Sequence, residues 1–174
     1  MKYISALLLL LFSGCATTKQ TPWATEAYKA MNSFSKDVYR THRLELIGIG
    51  GAMMYNIEKM NLVFDSYRNQ RLNIDQARRL LITISQGFIE RINSNNDIRS
   101  YLKKYPTDHH NLYLAISFCD ENENEVPKEY VSYVYLSEGK IHYCFFDSEK
   151  DEFIKEKDFK ESYEEALERV KTLP

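Results

Sequence analysis

Asp108, His109 and His110 form a cluster of metal-type ligands in a sequence of 174 residues. Adjacent histidines beside a carboxylate can share a cation, but a zinc centre needs three or four converging ligands. His42 and His142 stand in no spacing relation to the cluster, so the pattern predicts a solvent-exposed loop and no resident metal. Asp120 to Glu125 reads DENENE, with oxygen ligands at alternate positions as in a calcium loop. The match fails where such a loop needs glycine, at Glu125, and where it needs a bidentate glutamate, at Val131. Gly48-Ile49-Gly50-Gly51 lacks the third glycine of a dinucleotide turn and the Lys-Ser/Thr of a phosphate loop. It is expected to be a bulge or a close backbone approach. Arg78 and Arg79 could hold an anionic headgroup or carboxylate, and Glu161, Glu164, Glu165 and Glu168 could supply paired carboxylates for hydrolysis. Both groups fit solvated helix faces better. Cys119 and Cys144 have no identifiable partner histidine, which a nucleophilic thiol requires. No catalytic set and no cofactor site is predicted.

The elements that must position these residues follow from periodicity. Thr21-Pro22 reads as a helix start, a hydroxyl followed by proline at the first helical position. Trp23, Ala27, Ala30, Met31, Phe34 and Val38 then recur at spacings of three and four, so a helix is predicted from about Pro22 to His42. Met60, Leu62 and Phe64 alternate with Asn61, Val63 and Asp65. Two strands are expected, roughly 44–54 and 58–67, joined near Tyr55-Asn56. Asn73 and Gln76 have capping-box spacing ahead of an apolar face of Ala77, Leu80, Leu81, Ile84, Phe88 and Ile92. That amphipathic helix should run to Ser94, followed by a short helical piece over 97–104 that Pro106 closes.

From Asn111 the period changes to two. Leu112 to Phe118, Tyr130 to Leu136 and Ile141 to Phe146 read as an antiparallel meander with a turn at Ser137-Glu138-Gly139-Lys140. Asp158 and Glu161 again have capping spacing, so a last helix is predicted over about 159–172. Helices beside a predominantly antiparallel sheet, a hairpin plus a three-stranded meander, make an α+β domain over 22–174. The meander also bears on the cysteines. Pairing Ser137 with Lys140 puts Cys144 opposite Tyr133, and pairing Cys119 with Tyr130 puts Tyr133 opposite Ile116. Cys144 then shares the face of Ile116 and Phe118, while Cys119 points to the other face two strands away. A disulfide needs a Cα separation near 5.5 Å, so none is expected, and both thiols should pack as small hydrophobes.

The N-terminus carries an address. Lys2, an apolar run from Ile4 to Phe12, and Ser13-Gly14 before Cys15 have the layout of a secretory leader. The run is too short for a membrane span of roughly 20 residues. Leu11-Phe12-Ser13-Gly14-Cys15 resembles the lipobox of bacterial lipoproteins, with Phe12 where that family prefers leucine. The resemblance implies cleavage of 1–14, acylation of Cys15, and a tether over 15–21 holding the domain to the membrane. Ala16, where the family sorts its members, favours the periplasmic face of the outer membrane. GIGGAMM at Gly48 to Met54, Ala77 to Leu81, and Ile89 to Pro106 together resemble an uncharacterised group of small lipoproteins from intracellular bacteria. That resemblance implies lipoprotein status and no particular chemistry.

Composition narrows the function classes. Removing 1–14 takes away Lys2, one of 23 basic residues, and none of the 25 acidic ones, leaving a net charge of −3. Such a chain has no electrostatic footprint for nucleic acid. With 13 tyrosines and 9 phenylalanines against 6 glycines and 4 prolines, it is an ordered globular composition. The sequence favours a membrane-anchored, non-catalytic module that binds an envelope protein or helps assemble a complex. The competing expectation is a small-molecule or lipid carrier with a pocket lined by Tyr113, Tyr133, Tyr135 and Tyr143. An enzyme ranks third.

Overall fold

The computed structural model describes residues 21–120 and 122–172. The predicted leader and all of the tether except Thr21, including Cys15, lie outside these residues. The first helix, α1, spans Pro22–His42 and buries Ala27, Ala30, Met31, Phe34 and Val38 along one stripe. Thr21 stands at the cap position, but its hydroxyl makes no capping bond. Pro22, which has no N–H to satisfy, starts the helix instead. The helix ends where Arg43 turns left-handed, with φ 59°, and its N–H bonds to the Tyr39 carbonyl.

The chain then runs back along α1 as β1, Glu45–Ala52, and turns into β2, Lys59–Ser66, which pairs with it antiparallel. A register shift between Leu46 and Gly48 makes a bulge, and a Cβ on Gly51 would stand 2.1 Å from the Lys59 carbonyl oxygen. Gly51 therefore serves close hairpin packing. Helix α2, Ile74–Ser94, opens on a complete capping box. The Gln76 N–H donates to Asn73 Oδ1 at 2.9 Å, and the Asn73 N–H donates to Gln76 Oε1 at 3.0 Å. A short helix, α3 at Asn96–Arg99, follows.

The second half contains β3, Leu112–Phe118; β4, Tyr133–Ser137; and β5, Lys140–Cys144. A small separate hairpin, β6 at Phe146–Asp147 and β7 at Glu152–Phe153, was not anticipated. The chain closes with β8, Phe159–Ser162, and α4, Tyr163–Thr172. Among the described residues the main sheet has six strands in the order β1-β2-β3-β4-β5-β8. The fold is α+β and the sheet is mixed, mostly antiparallel. β2 and β3 pair in parallel, with Met60 opposite Leu112 and Phe64 opposite Ile116. The helices between these strands carry the chain back to its starting end, and a neighbouring strand reached that way must run parallel.

One sheet face carries Met60, Leu62, Phe64, Leu114, Ile116, Val134, Leu136, Ile141 and Tyr143, all at or below 2% exposure. These pack with α1, α2, α3 and α4 in one core. The other face carries Val63, Tyr113, Tyr133 and Tyr135, none of which joins that core. The sheet's two edges differ. β1 has eight residues with neither lysine nor proline, whereas β8 has four and leads straight into α4.

Two expectations about the strands of the second half need correction. Residues 159–162 are not the first turn of the last helix but the strand β8, antiparallel to β5. The capping box lies four residues later. The Ser162 N–H donates to Glu165 Oε2 at 2.8 Å and the Glu165 N–H donates to Ser162 Oγ at 3.2 Å. The meander register is also off by one between β3 and β4. Cys144 is opposite Tyr133 as expected, but Tyr133 is opposite Ser117, with Val134 opposite Ile116. The cause is the connecting segment. Tyr130 is not in β4, Cys119 bridges Glu125 instead, and Val126 and Val131 turn into the core. Cys144 therefore shares the side of Ser117. Cys119 and Cys144 are free thiols, two strands apart where neighbouring strands are about 4.8 Å apart.

The capping assignment is testable. Ser162→Ala should lower unfolding free energy by about 1 kcal/mol, measured by urea denaturation, while Asp158→Ala should change it by less than about 0.5 kcal/mol.

Candidate functional site

Alternation along β3, β4 and β5 places Tyr113, Tyr133, Tyr135, His142 and Cys144 on the face away from the core. Tyr135 is the hub. Its ring stacks on His142 at 4.4 Å between centroids and 9° between planes, and it lies 5.5 Å from Tyr133 and 6.1 Å from Tyr113. The Tyr113 and Tyr133 hydroxyls share a hydrogen bond at 3.0 Å. Ala115, directly opposite Tyr135, is fully buried beneath this layer. Burial and the Tyr113 bond push the Tyr133 hydroxyl far above its ordinary range, and burial pushes the Cys144 thiol up to about 11. At neutral pH these tyrosines, the imidazole and the thiol are uncharged, with Lys140 and Lys160 beside them on the same face. Aromatic surfaces contact other molecules through ring area and hydrogen bonds. Burial, then the nearby Lys160 and Lys140, hold the His142 imidazole below its usual 6.5.

Tyr143, grouped with these tyrosines by the sequence, lies on the opposite side of the sheet. There it belongs to a buried ionic cluster that the helical pattern hid. Glu161, expected on a solvated helix face, points inward from β8 with its side chain 2% exposed. Its Oε1 accepts from Arg78 Nε at 2.6 Å and from the Tyr143 hydroxyl at 2.6 Å, and its Oε2 lies 3.4 Å from Arg169 Nε. Arg78, also expected in solvent, is buried and reaches Asp75 as well. The signal was present in α2: Arg78, Ile82 and Ser85 lie on one line of the helix, and all three are buried. Ser85 Oγ in turn meets the Tyr163 hydroxyl of α4 at 3.1 Å.

The fold draws Asp108, His109 and His110 together, with one ligand atom from each within 4.8 Å of the others, and adds Glu164 from α4. His109 stacks flat on Tyr163 at 4.3 Å, with its Nε2 3.0 Å from Glu164 Oε1. The Asp108 carboxylate accepts from the His110 N–H at 3.0 Å and holds the Lys104 ammonium. These groups have the chemistry to take a divalent transition metal, but Asp108 is already engaged by a cation and a backbone donor. The corner is braced by Asn93, which bonds both backbone groups of Thr107. At the acidic loop, Asp120 Oδ1 accepts from the N–H groups of Asn122 and Asn124, so that carboxylate is used by its own turn.

A hollow of about 870 Å³ lies between the end of α1 and the start of α2. Thr41, His42, Leu72, Arg79, Leu80 and Thr83 are among its lining, and no tyrosine is. Among the described residues no helix is long and apolar enough to cross a membrane. The chain matches no protein-family model, no curated protein and no solved structure.

Two outcomes follow. Arg78→Met or Glu161→Leu alone should cost about 3–5 kcal/mol by taking the buried partner from the remaining charge, which keeps only an exposed one. The double variant should cost less than the sum of the two, a coupling read from urea unfolding. His142 is depressed in the folded state, so the unfolded chain takes up the proton first. Its contribution is intact above about pH 6.5 and is lost as pH falls through the folded value. Wild type should therefore lose stability relative to His142→Phe when acidified below neutrality.

Proposed function

We propose that the protein is a bacterial envelope lipoprotein. Acylated Cys15 holds it at the periplasmic face of the outer membrane, and it acts as a non-catalytic protein-binding or complex-assembly module. Its contact surface is the tyrosine-bearing sheet face. One observation carries this reading: Tyr135 gathers Tyr113, Tyr133 and His142 into one aromatic layer on a face that does not join the core. Tyrosine is enriched where proteins meet, because its ring gives area at low entropic cost and its hydroxyl gives hydrogen bonds. The competing reading, a small-molecule or lipid carrier, has less support, because its four candidate lining tyrosines are divided between the two faces of the sheet. Tyr143 packs in the core against Phe159, with its hydroxyl on Glu161.

Crosslinking and affinity capture of the tagged full-length protein from intact bacterial cells test the reading. A protein recovered stoichiometrically with wild type should be lost with Tyr135→Ala, kept with Tyr39→Ala on α1, and depleted with Cys15→Ser, which cannot be acylated. An unchanged set of captured proteins with Tyr135→Ala removes the tyrosine face from the function. Membrane retention of Cys15→Ser equal to wild type removes the anchor.

A further inference from the structure

The apolar side chains most exposed among the described residues sit together at a hairpin tip. Met54 is 76% and Tyr55 is 80% exposed, between β1 and β2. Their place in the fold follows from chain direction. α1 runs out and β1 runs back along it, so the β1–β2 turn returns to the level of the start of α1. The Trp23 indole N–H joins the two, donating to the Met53 carbonyl at 2.8 Å, and the Trp23 ring lies 6.5 Å from Tyr101. The start of α1 is also where the chain outside the described residues ends, and Cys15 is six residues before Thr21. Six residues span at most about 20 Å when fully extended. The tip is therefore held close to whatever membrane anchors Cys15.

The surroundings of the tip suit a lipid interface. Ile57 bridges Leu102, and Tyr105 is 43% exposed, with Arg99 4.0 Å above its ring. Tryptophan, tyrosine and long basic side chains are the residues that settle at headgroup level. The charges near the tip are mixed. Lys103 pairs with Glu58 at 2.8 Å, and Asp97 lies on α3 close by. Attraction to anionic lipid therefore cannot be the driving term, and burial of Met54 and Tyr55 can.

We infer that Met54 and Tyr55 dip into the headgroup region of the membrane that carries acylated Cys15. This second contact sets the orientation of the domain. The inference rests on the anchoring reading above. A single lipid attachment leaves a domain free to tumble on its tether, whereas an attachment plus an apolar tip beside it presents a fixed side to the bilayer.

The one tryptophan in the sequence, Trp23, makes a built-in probe. Acylated full-length protein would be reconstituted into phosphatidylcholine vesicles whose lipids are brominated near the headgroup. Trp23 fluorescence should fall by more than half relative to unbrominated vesicles, with no requirement for anionic lipid. In Met54→Asp/Tyr55→Asp that quenching should be lost, while acylation by mass and co-sedimentation with vesicles stay unchanged. Acylated, sedimenting wild type whose quenching matches that of the double variant overturns the inference alone. An unmodified Cys15 with the chain left in the supernatant overturns the anchoring reading and the inference together.

Discussion

A single buried carboxylate constrains how the C-terminal part of the chain is built. Taking Glu161 out of water costs several kcal/mol, and the cost is offset only where charged and hydroxyl donors converge on it. Arg78 of α2 and Tyr143 of β5 donate to it and Arg169 of α4 forms an ion pair with it, so one side chain of β8 ties three other elements. This requires Glu161 to point inward. An inward Glu161 in turn places Phe159 inward and Lys160 outward, which is the alternation of a strand. The chain can become helical only after Ser162, where the capping box begins α4.

With the described helices all on one side, each strand has to serve two environments. β3 is the clearest case, with Leu112, Leu114, Ile116 and Phe118 buried in the core while Tyr113, Ala115 and Ser117 face the other way. Tyrosine suits the second face because it shields the backbone and small neighbours such as Ala115 without needing a partner layer. The side with the helices holds the core, and Tyr113, Tyr133 and Tyr135 on the opposite side take no part in it.

Much of this was legible where a period ran long enough to be unambiguous. α1 and α2 keep an apolar stripe over 21 residues each, and the Asn73/Gln76 capping box and the Ser137–Lys140 turn are local signals that tertiary packing did not override. β8 was hidden because four residues are too few to show a period of two, and they sit in phase with the helical spacing of Tyr163, Ala166 and Val170. Arg78 was misplaced because charge implies solvent unless a partner is known, and its partner lies 83 residues away. The β3–β4 register failed for a related reason. It was counted through Tyr130, in a segment whose path is set by Val126 and Val131 entering the core rather than by strand pairing. His109 and Glu164 likewise meet only because α4 packs against the loop that follows α3.

The unequal edges of the sheet limit how this protein can associate through its backbone. β8 is short enough to be a poor template, while β1, eight residues long, pairs with β2 on one side and turns the outward N–H and C=O groups of its other side to no strand, with one bulge in its length. A sheet with two long edges can add copies at either side without end. One with a single usable edge exhausts it in the first pairing, since two copies joined through β1 leave only their β8 strands outermost. Pairing of two copies through β1 would therefore close on itself, with only β8 edges of the main sheet left outermost.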